Sequence, residues 1–476
     1  MMRSLYSAVS GLKTHQSKMD VIGNNIANVN TVAFKSTSVT FNDVLYQTTS
    51  KASGSNEVTG TGGVNAKQIG LGVTTAATKI AISTEGATQT TGDALDLKIS
   101  GTNFFVVSNG SSNYFTRDGS FYIDGNGNLC MSSTGYNVMG WQAVTDSDTG
   151  EITIQKDTVS KLQPMTAANL VSPPEATTAA VASGIIDNNS SALTNGGYIM
   201  TLGFYDSLGY SYTAKFVVDN LNTDSDEITI FDLNLKDIVD SDGNSILDLN
   251  QDGDYEDDGE VDPTALFAEM NIVYNASTGA FSSATCTDNA DQIYTDDDGD
   301  VLGVNLLLAE NTTLNADLNF ENIAIDFTNS YNYDNDGTST LGLDRGDSDG
   351  NNAGYAVGSM TGLSISNNGE IYGTYDNGTT VLLCQIASAS FANPSGLESL
   401  GNNCYAETLN SGEFDGVGED VTANSGSMTS GVLEMSNVDL SSEFTEMITT
   451  QRGFQANSRV ITTSDTLLEE LINLKR

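Results

Sequence analysis

Near the start of the chain, Leu5, Ala8, Leu12, His15, Met19, Ile22, Ile26 and Val29 follow one another at steps of three and four. This is the seven-residue seam of a helix that packs along a narrow stripe, interrupted only by the polar His15. The spacing predicts a helix from Leu5 to Val29, about 37 Å long if fully helical. At the other end Leu440, Met447, Phe454, Ile461 and Leu468 recur every seventh residue, and Phe444, Ile448, Leu467, Leu471 and Ile472 widen the face. Asp439 stands where an N-cap belongs, and no proline follows, so a second helix is expected from Asp439 to Leu474. Between the two ends the period falls to two. Strings such as "NFFVVSNG" and "YFTRDGSFYIDGNGNL" alternate apolar and polar residues and turn at Asp-Gly or Asn-Gly, the signature of hairpins.

An isolated seam helix is marginal in water, because nucleation is costly and only packing offsets it. The two terminal helices are therefore expected to pack on each other, on neighbouring copies, or both. The fold class that follows is multidomain. The terminal α-helices form a coiled-coil-like domain (residues 1–42 with 432–476), and mainly β, barrel- or sandwich-like domains are nested between them. Residues 71–150 with 351–409 make one β domain, and residues 151–350 an acidic insertion of one or two subdomains. Residues 43–70 and 410–431 read as linkers, the first having the look of a linker or extended segment for its Ser, Thr and Gly content between 48 and 68.

Length and charge narrow the possibilities. A chain of 476 residues is too long for one ordinary core. The net charge of −44 argues against nucleic acid, which needs a basic surface. That charge is uneven: residues 221–350 hold 31 Asp or Glu against two bases, Lys236 and Arg345. No apolar run approaches the ~18 residues of a membrane span. The N-terminal stretch "MMRSLYSAVSGLKTHQ" lacks the apolar centre of a secretory signal, so export without a cleaved signal peptide is expected. Cys130, Cys286, Cys384 and Cys404 are far apart, with no CxxC; a turn could bring Cys384 and Cys404 together.

Candidate chemistry is sparse. "DLNQDGDYEDDGE", residues 248–260, begins like a calcium loop: Asp248, Asn250 and Asp252 take positions 1, 3 and 5, and Gly253 takes position 6. Asp254 could add an oxygen. Position 12 is Gly259, with Glu260 one residue late, so solvated acidic turns are the competing reading. "GDSDG" at 346–350 matches GxSxG literally. A nucleophile elbow also needs a downstream His, and the single His of the chain is His15. No phosphate loop, dinucleotide fingerprint or HExxH occurs, and no enzyme or organic cofactor is expected.

"SLYSAVSGL", "MDVIGNNIANVNTVAFKS" and "FNDV" resemble the N-terminal signature of bacterial flagellar rod and hook proteins. "SNVDLSSEFTEMITTQRGFQANSRVITTSDTLLEELINL" is similar to their C-terminal signature. "GTNFFVVSNG", "YFTRDGSFYIDGNGNL", "GYNVMGWQ", "YDSLG", "GLSISNNGEIYGTYDNG" and "ASFANPSGLESLGNNCY" resemble the hook branch. The likeness fades between residues 211 and 350, apart from "IDFTNSYNY". It implies an extracellular helical homopolymer, the flexible tube that carries torque from rod to filament. Its partners would be copies of itself, the rod, hook cap and hook-filament junction proteins, and the flagellar type III export apparatus.

Under that resemblance Leu5, Leu12, Met19, Ile22, Ile26, Leu440, Met447, Phe454, Ile461 and Leu468 are assigned to the polymerisation interface. Asn24, Asn25 and Asn28 join them. Asn weakens a helix, which suits a segment that orders only among neighbours, although Asn28 and Asn30 also suit a plain helix end. A distal rod paralogue is the nearest alternative. A calcium-binding adhesin would account for the acidic middle but not for the paired ends.

Overall fold

The computed structural model describes every residue except 1, 56–59, 61, 146–151, 195, 221–227, 251–254, 256–259, 287–289, 297–298, 312–317 and 475–476. It is mostly β, with one long helix at each end, Met2–Ala27 and Leu440–Asn473. The C-terminal helix starts where its cap predicts. The Asp439 carboxylate accepts from the backbone of Ser441 at 2.9 Å and Ser442 at 3.4 Å, satisfying amides that the first turn leaves free. The chain forms two compact units. The first holds residues 1–169, 362–373 and 381–476, and the second holds 170–361 and 374–380.

In the first unit the two helices pack together and a sheet fills the middle. Phe104–Ser108 is central to that sheet, pairing with Asn113–Thr116 on one side and with Asn137–Thr145 on the other. Phe104, Val106 and Phe115 point into an aromatic core with Tyr405 and Leu397. Residues 410–431 are built into this unit: Ser427–Ser430 pairs with Leu97–Ser100, and Val421 is buried.

The described residues of the range 37–80 form a long two-stranded arm. Thr37–Asp43 pairs antiparallel with Val73–Ile80, then Tyr46–Ser50 with Lys67–Gly70, and Ser53 bridges Val64. Within residues 43–70, strand pairing thus joins Tyr46–Ser50 to Lys67–Gly70 and Ser53 to Val64. Ser, Thr and Gly mark polarity, and polarity alone does not separate a free linker from a ribbon whose two faces both meet water. The arm's base is seated on the N-terminal helix. Gly72 lies at φ +136° with Ser10 against it, where an added Cβ would come within 2.2 Å of Ser10 Oγ. That hydroxyl accepts from the Val73 amide at 3.2 Å.

The second unit stacks two sheets on one core. A five-stranded antiparallel meander runs from Tyr198–Tyr205 to Phe281–Cys286. A mixed six-stranded sheet is centred on Ala179–Ile186. Phe204, Phe216, Phe231, Phe267, Tyr274 and Phe327 are all buried in the shared core. The arrangement is sandwich-like, and no sheet closes into a barrel among the described residues.

Candidate assembly interface

The terminal helices run antiparallel and meet through small residues. An added Cβ on Gly11 would lie 2.7 Å from the Asn457 amide, and one on Gly453 would lie 2.7 Å from the His15 ring. Each glycine therefore makes room for the other helix's larger polar side chain. Ala8, Thr14, Thr450 and Ser464 are buried along the same line. Farther along, Lys18 pairs with Glu446 at 3.0 Å. The His15 ring also stands edge-on to Phe41 at 5.8 Å, so this seam position is occupied within the chain.

Asn25 is the most tightly held of the asparagines. Its Nδ2 donates to the Thr37 carbonyl and to Glu443 Oε1, both at 2.8 Å, and its Oδ1 accepts from the Thr37 amide at 3.0 Å. It ties the end of the first helix to the start of the arm and to the first turn of the second helix. Burial raises the Glu443 carboxyl above its usual range, and the Asn25 bond opposes that rise. Asn28 donates to the Asn24 carbonyl at 2.9 Å and to its Oδ1 at 3.0 Å, while Thr31 donates to Asn28 Oδ1 at 3.1 Å. These bonds close the helix, which stops at Ala27. Asn24 is itself exposed.

Below the helices lies a junction that the periodicity did not reveal. Lys35 Nζ, Glu434 and Arg117 form a buried ion triad. Lys35 lies 2.7 Å from Glu434 Oε1, and Arg117 Nη1 lies 3.8 Å from Glu434 Oε2. Lys35 also donates to the Thr84 carbonyl at 2.8 Å, and the Gly86 amide donates to Glu434 Oε1 at 2.8 Å. Arg117 donates to the carbonyls of Ile99 and Gly101 and sits over the Phe104 ring. Burial lowers the Lys35 ammonium below its usual range, with Glu434 acting against that shift. Asn437 adds a second clamp, donating to Ala81 at 2.9 Å and Thr84 at 3.1 Å and accepting from the Ser36 amide at 2.7 Å. The segments after the first helix and before the second are thus locked to the β core. The available sequence signal was a lone charge inside an apolar run, in "VAFKS" and "VLEMS".

The predicted seam residues divide. Ile22 is buried; Leu5, Leu12, Met19, Ile26, Met447, Phe454, Ile461 and Leu468 are half-buried; Leu440 is exposed. Around them Phe444, Ile448, Leu467 and Ile472 are 50, 56, 51 and 68% exposed. Fully burying one such side chain gains about 1.5–3 kcal/mol, and the chain itself leaves these four exposed.

The acidic middle is organised by turns. Asp240 accepts from the amides of Asp242 at 2.9 Å and Asn244 at 2.8 Å; Asp347 does the same with Asp349 at 2.9 Å and Asn351 at 2.8 Å. Asp124 repeats the pattern in the first unit with Asn126 and Asn128. The literal GxSxG is one of these turns. Of the calcium-loop residues, Asp248 and Asn250 are described, and the Asn250 and Leu249 amides face Glu260 Oε1 at 3.3 and 3.2 Å. Asp252 and Asp254 lie outside the described residues. Cys384 and Cys404 are free thiols, and burial pushes them up to about 12 and about 11.

These features define a β-rich structural subunit with paired terminal helices. Residues 5–35 match the Flagella basal body rod protein family. Residues 98–161 match the Flagellar hook protein FlgE/F/G D1 domain, and residues 429–474 match the Flagellar basal body rod FlgEFG protein C-terminal family. The chain is 35% identical to the flagellar hook protein FlgE of Borreliella burgdorferi and 33% identical to that of Treponema pallidum, over 100% of both chains in each case. It is 28% identical to the flagellar basal-body rod protein FlgG of Bacillus subtilis, again over 100% of each. A crystal structure of the Helicobacter pylori flagellar hook protein FlgE2 aligns with 73% of this chain and 100% of that one, at 13% identity and a TM-score of 0.43. The chain belongs to the flagellar hook protein family.

Proposed function

We propose that this chain is the structural subunit of a bacterial flagellar hook. It assembles with copies of itself into a flexible tube that transmits torque from rod to filament. The observation that carries this reading is the full-length match to hook proteins, at 35% identity over 100% of both chains. The geometry supports it. Helices that meet through Gly11 and Gly453 leave an apolar face uncovered, as a chain completed by its neighbours requires. Rod, hook cap and junction proteins would contact the two ends of the tube. The chain would pass the flagellar export apparatus before folding, and it carries out no catalysis. The distal-rod alternative receives less support, since the rod relative is 28% identical.

The test is electron microscopy of sheared appendages from the bacterium that makes the protein, labelled with antibody to residues 170–361. Label is expected on the short curved segment between cell body and filament. Label on the rod, on the filament or on no tube would overturn the reading.

A further inference from the structure

The arm formed by residues 37–80 is hard to account for within one chain. Every described residue of Tyr46–Ser50 and Lys67–Gly70 is exposed, so neither face of this ribbon packs on anything. A lone two-stranded ribbon is marginal in water at best. Leu45 and Tyr46 are 78 and 55% exposed, and Val64 and Ile69 are exposed beside them. The arm is also cationic in an acidic protein. Residues 37–80 carry Lys51, Lys67 and Lys79 against Asp43 and Glu57, in a chain of net charge −44. None of the three ammonium groups has an ion-pair partner among the described residues.

The same unit offers a surface of the opposite character. A groove of about 680 Å³ is lined by Glu398, Glu407, Glu413, Leu409 and Phe414. Leu409 is 98% exposed and Phe414 is half-buried, so uncovered apolar surface stands among the carboxylates. Among the described residues, only Glu407 of the three carboxylates is engaged by a hydrogen bond, from the Phe414 amide at 2.6 Å. Apolar side chains set among carboxylates fit an apolar strand edge flanked by lysines.

We propose that the arm of one copy docks in this groove of a second copy. Tyr46 and Leu45 would cover Leu409 and Phe414, and Lys51 and Lys67 would face Glu398 and Glu413. The contact is heterologous, arm to groove, so each copy both gives and receives, and the series propagates along a polymer instead of closing as a dimer. This inference rests on the homopolymer reading and supplies one of its contacts.

The test mixes two full-length variants, Y46C and L409C. Both substituted positions are exposed, and three of the native cysteines are buried. The mixture is assembled into tubes and oxidised. A disulfide-linked heterodimer is expected in the tubes and absent from unassembled protein at the same concentration. Tubes without heterodimer would overturn the arm-to-groove contact and leave the homopolymer standing. Failure of the unsubstituted chain to form tubes would overturn both. As a second readout, K51E/K67E is expected to cut the yield of tubes about tenfold, and adding E398K/E413K to restore at least half of it. A yield unchanged by K51E/K67E, or a loss that E398K/E413K does not rescue, would count against the contact.

Discussion

At the scale of the residue, the junction rests on Glu434. Among the described residues its carboxylate is the only anion paired with Lys35, in a site where both side chains are almost wholly buried. Such a pair is not itself strong evidence of stability, because desolvation costs about what the attraction returns. Removing one member is a different matter, since it strands the other charge away from water. Replacing Glu434 by Gln should therefore destabilise the first unit by about 3–5 kcal/mol, read from denaturant unfolding of the full chain. The double variant K35M/E434Q should recover part of that loss. Arg117 keeps the Ile99 and Gly101 carbonyls and the Phe104 ring, so its charge is not left bare. A double variant no better than E434Q would mean that Arg117, not Lys35, is the cation that needs Glu434. Burial lowers both cations below their usual ranges. For Lys35 the unfolded chain therefore binds the proton more tightly than the folded one, and this group's contribution to stability rises as pH climbs toward its unfolded value.

At the scale of the element, the helices were legible and the surfaces they use were only partly so. Heptad spacing placed both helices, and Asp439 fixed the start of the second, because a cap and an apolar stripe are local signals. The stripe also marks where water must be excluded, and that need not be where the chain touches itself. Within the chain the helices meet through Ala8, Gly11, Thr450 and Gly453, small residues that a hydrophobicity pattern ranks low. The arm reads in the sequence only as a linker or extended segment, because its strands are paired without a buried face and no alternation betrays the pairing. The ion triad was missed because its three members are far apart in sequence, Lys35 and Glu434 by 399 positions. The acidic turns were visible as Asp-Gly motifs, and the structure shows what the leading Asp does there.

Those turns carry a prediction about acid. Amide bonds from Asn244 and Asn351 hold the Asp240 and Asp347 carboxyls below their usual range. A carboxyl depressed in the folded state lends stability above its unfolded value, near 3.9, and that stability is lost as pH falls through the lower folded value. The variant D240N/D347N keeps the oxygen that accepts the backbone amides, replaces by a donor the second oxygen that faces the Asn244 and Asn351 side chains, and has no charge to lose. Its thermal midpoint should lie below that of the unsubstituted chain at pH 7 and converge with it near pH 2. Parallel curves at both pH values would mean that the charge on these aspartates contributes nothing to the turns.

At the scale of the whole molecule, each copy brings a net charge of −44 into a tube of identical copies. Like charges on neighbours repel over a distance set by salt, about 30 Å at 0.01 M and about 8 Å at 0.15 M. Burying the uncovered apolar face around Phe444, Ile448 and Leu467 between copies would favour association and be nearly indifferent to salt in this range. The lysines of the arm work the other way, since their attraction for the groove weakens as salt rises. They are few against the net charge, so repulsion should dominate the balance. Tubes should therefore form at a several-fold lower protein concentration in 0.15 M salt than in 0.01 M, measured by sedimentation across a salt series. The reverse order would mean that paired charges between copies, not apolar contacts, hold the polymer together. The K51E/K67E variant would then be the first place to look for the loss.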